Sequence, residues 1–66
     1  MKTVVLLVDS QLMVIDTFKD AETARYYIKQ EYTRKEWFES ELSLTYAEID
    51  QNNSIIEYGE AIDLYE

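Results

Sequence analysis

Between Glu36 and Glu66 the chain carries nine acidic residues and no lysine, arginine or histidine. Twelve large apolar or aromatic residues are interleaved with them: Trp37, Phe38, Leu42, Leu44, Tyr46, Ile49, Ile55, Ile56, Tyr58, Ile62, Leu64 and Tyr65. This pattern limits the fold more than any other feature. Carboxylates stay in water while the residues between them seek burial, so this half must form elements with one charged side and one apolar side. The first 35 residues are nearly neutral, with five acids against six bases, so the formal charge of −8 belongs to the second half.

Sixty-six residues allow one domain spanning 1–66, and such a chain buries only roughly 60% of its unfolded surface. A hydrophobic content of 47% suffices for a core and argues against disorder. Without cysteine there is no disulfide or thiolate metal site, and without histidine the commonest metal ligand and acid–base catalyst is missing. The longest early apolar run, Val4–Val8, is too short for a membrane span and follows no basic leader. The expectation is a soluble cytoplasmic chain, in the host cell if phage-encoded.

Thr3–Val8 is rich in β-branched residues and reads as a strand that is central or covered on both faces. Leu12–Phe18 reads as its antiparallel partner across Asp9-Ser10-Gln11. Asp20 is an N-cap, and Ala21, Ala24, Ile28 and Tyr32 form an apolar helical stripe widened by Tyr27. Thr33 and Glu36 have capping-box spacing, which favours a break near Thr33 and a short second helix to about Ser40 over one continuous helix. Leu42–Ile49 alternates as a third strand, Asp50-Gln51-Asn52-Asn53 is a turn, and Ser54–Tyr58 is a fourth strand. Gly59, the single glycine, predicts a bulge or bend with unusual φ, and 60–66 reads as continued strand, as an edge strand or as irregular chain. The predicted class is α+β: an antiparallel sheet of four to five strands with one helix, broken near Thr33, on one face, in the order β-β-α-β-β.

Asp50, Asn52 and Ser54 match the first ligands of an EF-hand loop, but Ile55 stands where glycine is required and Ala61 where a bidentate glutamate is required. No metal and no cofactor are therefore expected. A small chain without a histidine, a cysteine or a phosphate loop lacks the means to activate a nucleophile, so no enzyme is expected. Fourteen acids against six bases is the wrong sign for direct nucleic-acid binding, and no membrane contact is expected.

The remaining class is recognition of a basic protein. Side chains two apart on one strand face repeat at roughly 6.6–6.8 Å, within a factor of two of the roughly 3.4 Å rise per strand phosphate in DNA. A sheet studded with carboxylates can thus offer charge as DNA does, and an aromatic anchor adds binding energy that charge alone lacks. The candidate partner-binding residues are Glu36, Trp37, Phe38, Glu39, Glu41, Glu48, Asp50, Glu57, Tyr58, Glu60 and Asp63, with Trp37, Phe38 and Tyr58 as anchors.

In Phe38-Glu39-Ser40-Glu41 and Ser54-Ile55-Ile56-Glu57, and in size, charge and element order, the chain resembles the small acidic inhibitors of phages and mobile elements. These include uracil-DNA glycosylase inhibitors and anti-CRISPR proteins. The resemblance implies an inhibitor that occupies the DNA-binding groove of such a host enzyme. The alternative expectation is a structural or assembly module, a homodimer pairing edge strands or an accessory subunit.

Overall fold

A computed structural model describes residues 2–65. The element order is β1 (Lys2–Val8), β2 (Val14–Phe18), α1 (Ala21–Glu31), α2 (Arg34–Glu39), β3 (Ser43–Ile49) and β4 (Ile55–Ile62). The sheet has four strands in the order β2-β1-β3-β4, antiparallel throughout, so β1 is central as its apolar run implied. The broken-helix expectation holds: Asp20 caps α1 through Thr23 N at 2.7 Å, and α1 ends before Thr33. Three boundaries differ from expectation. Leu12 and Met13 belong to the first turn, Leu42 precedes β3, and the last strand runs unbroken through Gly59 to Ile62 with no fifth strand among the described residues.

Both hairpin turns have the same construction. The Asp9 carboxylate accepts from Gln11 N and Met13 N at 2.9 Å each, Leu12 N donates to Asp9 O at 3.0 Å, and Asp9 N donates to Met13 O at 3.1 Å. In the second turn, Asp50 accepts from Asn52 N at 2.8 Å and Ser54 N at 3.0 Å, while Asn53 N–Asp50 O and Asp50 N–Ser54 O are each 3.0 Å. In each, the fourth residue is left-handed: Leu12 at φ 62° and Asn53 at φ 63°. Asparagine tolerates this region, whereas a branched apolar residue there is disfavoured by roughly 1–2 kcal/mol. A third left-handed position, Glu41 at φ 58°, ends α2 where glycine is usual.

The one glycine is at none of these positions. Gly59 does not have positive φ, contrary to the reading of its sequence position. Its role is close approach: a Cβ there would lie 3.1 Å from Tyr46 Cβ and 3.4 Å from Tyr46 O. The β3–β4 register does shift beside it, between Thr45 and Ala47, and the Thr45 hydroxyl reaches the carbonyl oxygens of Gly59 and Glu60 at 3.3 and 3.2 Å.

The two sheet faces differ. On one, Val5, Leu7, Leu44 and Ile62 pack with Ala24 and Ile28 of α1, Trp37 of α2, and Leu64, with Phe18, Ala21, Tyr32, Leu42 and Tyr65 at the margin. The stripe expected of α1 is the one used. On the other face, Val4, Leu6, Val8, Ala47 and Ile49 form a second buried cluster with no helix over it. Residues paired across strands share a face, so the register assigns Val14 and Thr17 of β2, and Ile55 and Tyr58 of β4, to this helix-free face. These flank the central strands on that face. No helix among the described residues is long and apolar enough to cross a membrane.

Candidate functional site

The eleven candidate residues fall into separate groups. Trp37 is core rather than a partner anchor, since its side chain is only 6% exposed. The cause is local. Thr33 caps α2 by accepting from Glu36 N at 3.1 Å, and Glu36 reaches back to Thr33 N at 3.0 Å. This box orients the helix so that Trp37, one residue beyond Glu36, meets Tyr32, which precedes the cap, with ring centroids 6.2 Å apart. That pair has the positions of a hydrophobic staple, and the staple was a readable signal that Trp37 points inward. Glu36 is correspondingly occupied. The backbone N–H of Thr33, then its hydroxyl, holds the Glu36 carboxyl below its ordinary value of 4.5, as Thr23 does for Asp20 below 3.8.

Phe38 is 61% exposed, as an anchor requires. It lies 6.1 Å from the Tyr65 ring, and the Arg34 guanidinium stands 6.0 Å from Phe38 and 5.6 Å from Tyr65. Lys29 approaches Tyr65 from the other helix at 5.2 Å. Bases of the first half thus approach Tyr65 through its aromatic face. Arg25 Nε adds a hydrogen bond to Asp63 O at 3.1 Å. Phe38 and Asp63, with Trp37, line a hollow of about 240 Å³ between α2 and the end of β4. Glu39 pairs with Lys35 at 4.0 Å, both well exposed, a contact worth about 0.3–0.5 kcal/mol.

Glu48 and Glu57 lie directly opposite each other on β3 and β4. They occupy the end of the helix-bearing face that the helices do not reach, beside Thr3 and Tyr46. A second hollow of about 240 Å³ includes these four residues together with Tyr58 and Gly59. Neither glutamate has an ion-pair partner among the described residues. Like charges facing each other across strands are destabilising, so this pair is not explained by the fold.

The other candidates are dispersed. Asp50 builds its turn, Glu41 ends α2, and Glu60 lies in the irregular part of β4, where it contributes its carbonyl to Thr45. Tyr58 is 43% exposed and by register faces the helix-free side opposite Ala47, while also lining the hollow that holds Glu48 and Glu57. Among the described residues no three carboxylates converge as a metal site.

Comparison with known proteins found no match to a family model, a curated protein or a solved structure.

Proposed function

We propose that this chain is a non-enzymatic acidic recognition protein that occupies the basic DNA-binding groove of a nucleic-acid enzyme, offering carboxylates in place of phosphates. The observation that carries the reading is the Glu48–Glu57 pair: two carboxylates held face to face on rigid strands, without an ion-pair partner among the described residues. A cation from a partner would relieve a repulsion that the isolated fold bears. Tyr46, in the same face, offers a ring beside which a lysine or arginine stem can lie. Phe38, Glu39 and Asp63 at the other end of the β3–β4 pair form a second contact, with Phe38 as the exposed aromatic. Uracil-DNA glycosylase and a CRISPR nuclease are the target types to try first.

The test is displacement of fluorescently labelled duplex DNA from each enzyme, between about 50 and 200 mM salt. Competition that weakens steeply with salt supports the reading. Charge reversal at Glu57 or Glu39 should weaken it about tenfold or more, with Glu22→Lys on α1 as the indifferent control. Equal losses from all three variants would refute the groove-specific reading. Failure to displace DNA from either enzyme would leave the acids as a solubilising surface.

A further inference from the structure

The helix-free face of the sheet has the chemistry of an interface that the rest of the surface lacks. By register, Asp16, Glu48 and Glu57 all point to the opposite face, with Leu7 and with one another. Glu60, the neighbour of Ala61, which opposes Thr45, alternates away as well. No strand carboxylate therefore points to this face, in a chain with fourteen acids. What it presents is mainly apolar, with threonines among the apolar residues and Lys2 at its edge opposite Ile49. A hollow of about 570 Å³ is lined by Leu6, Val14, Thr17, Ile49, Asn53 and Ile55. In the chain segment around Val14, Leu12, Met13 and Ile15 are 58%, 63% and 54% exposed. Depletion of acids around a mainly apolar centre is a mark of interface cores rather than of ordinary surface.

The two turns supply an independent observation. They make the same hydrogen bonds and need one left-handed residue each, which Asn53 provides in the second. The first uses Leu12 in that conformation and leaves it largely in water. Neither the turn nor the monomer core accounts for leucine there. A disfavoured backbone position occupied by an exposed anchor-type side chain points to a contact outside the monomer.

We propose that this face binds a second copy of the chain, with Leu12 and Met13 of each protomer seated in the apolar hollow of the other. A two-fold interface must carry both a projection and its receptacle on one surface. The projecting turn adjoins the hollow along the chain, since Val14 of the hollow follows Met13 directly. The strand acids lie on the other face, so pairing leaves them outward. Four strands about 4.8 Å apart and about 7 residues long cover roughly 450 Å². Two copies would bury about 900 Å² before the projecting turns are counted, at the low end for a specific interface, which implies association in the micromolar range or weaker. Because each copy carries −8, salt should strengthen the dimer by screening their mutual repulsion. Attachment of a basic partner through the acids responds to salt in the opposite sense, so the two ideas stand or fall separately.

The experiment is sedimentation equilibrium from about 10 µM to 1 mM, at low salt and in about 0.5 M salt. The weight-average mass should rise from 7.9 kDa toward twice that, and rise earlier in high salt. Leu12→Asn, which repeats the residue of the other turn, should weaken association about tenfold or more while far-ultraviolet circular dichroism and the urea midpoint show an intact fold. Met13→Ser serves as a second variant outside the left-handed position, and Glu57→Lys should not weaken the dimer. A wild-type chain that stays at monomer mass at the highest concentration in high salt overturns the proposal, as does undiminished association of Leu12→Asn. A monomer that instead binds a leucine–lysine amphipathic helical peptide, with loss on Leu12→Asn, would assign the face to a partner's helix and equally overturn it.

Discussion

Reversing the charge at position 57 tests the reasoning about the acidic pair without any knowledge of a partner. Glu48 and Glu57 are register partners, and directly opposed side chains have Cβ atoms about 5 Å apart. Two unit charges at about 5–6 Å in the dielectric of water repel by about 0.7 kcal/mol, and this high-dielectric value already allows for their exposure. Glu57→Gln removes that repulsion. Glu57→Lys turns it into attraction, a swing of about 1.4 kcal/mol, reduced by the entropy of fixing a lysine to a net of about 0.5–1.2 kcal/mol. For a domain of this size that corresponds to a rise in Tm of about 3–8 °C. The assay is urea and thermal denaturation at low salt and again in 1 M NaCl, where a Debye length of about 3 Å should erase most of the gain. Glu60→Lys makes the same change in net charge without an acid as register partner and serves as the control. No stabilisation by Glu57→Lys at low salt, equal stabilisation by Glu60→Lys, or a gain unaffected by salt would each refute the argument. The reasoning also requires that the stabilised variant be the poorer binder of a basic partner.

Trp37→Ala should cost about 3–5 kcal/mol, a large part of the roughly 3–10 kcal/mol that 66 residues are expected to hold. Phe38→Ala, at an exposed ring, should cost about 1 kcal/mol or less; urea midpoints measure both. Thr33→Ala removes the cap of α2 and should cost about 1 kcal/mol, with loss of the Tyr32–Trp37 contact visible in tryptophan fluorescence. Gly59→Val should cost about 1–3 kcal/mol through collision with Tyr46, whereas Gly59→Ala should be milder because restriction of the unfolded chain offsets part of the crowding. Acid should destabilise the fold as the pH falls through and below about 4. The folded carboxyls of Asp20 and Glu36 titrate below their ordinary values, so in that window the unfolded chain binds more protons, and stability present above it is lost. A D20N/E36Q double variant should flatten this limb in a pH series of thermal melts.

Local signals carried most of the architecture. The β-branched run of β1, the alternation of β3, the Asp20 cap and the Thr33–Glu36 box each act within a few residues, and each produced the element it implied. The failures arose where a rule of thumb had two physical causes. A lone glycine suggests either positive φ or close approach, and Gly59 is the second. Positive φ is instead met by Leu12, Glu41 and Asn53. A Trp-Phe pair beside acids looks like an exposed anchor, but a six-residue helix against a sheet turns one ring inward and the next outward. Of the candidate acids, Glu48 and Glu57 could be paired only once the β3–β4 register was known, because that register depends on where the turn closes and on two irregularities. The resemblance of Asp9–Met13 to Asp50–Ser54 was present in the letters, as an aspartate five residues ahead of a strand's first residue. The leucine at the left-handed position hid it.

The twin turns also bear on how the chain reaches its fold. β1–β2 and β3–β4 are each closed by a loop of a few residues with its own aspartate clasp, so each hairpin is a local event on a scale of about 1–10 µs. The seam between them, β1 against β3, joins residues about forty apart in sequence. It can be zipped only after the whole helical segment has been looped out, at an entropic cost that rises slowly with loop length. Folding should therefore be limited by the meeting of two preformed halves. Substitutions along the β1–β3 seam would then change the refolding rate, while substitutions in either clasp would change mainly how much of each half is ready when they meet.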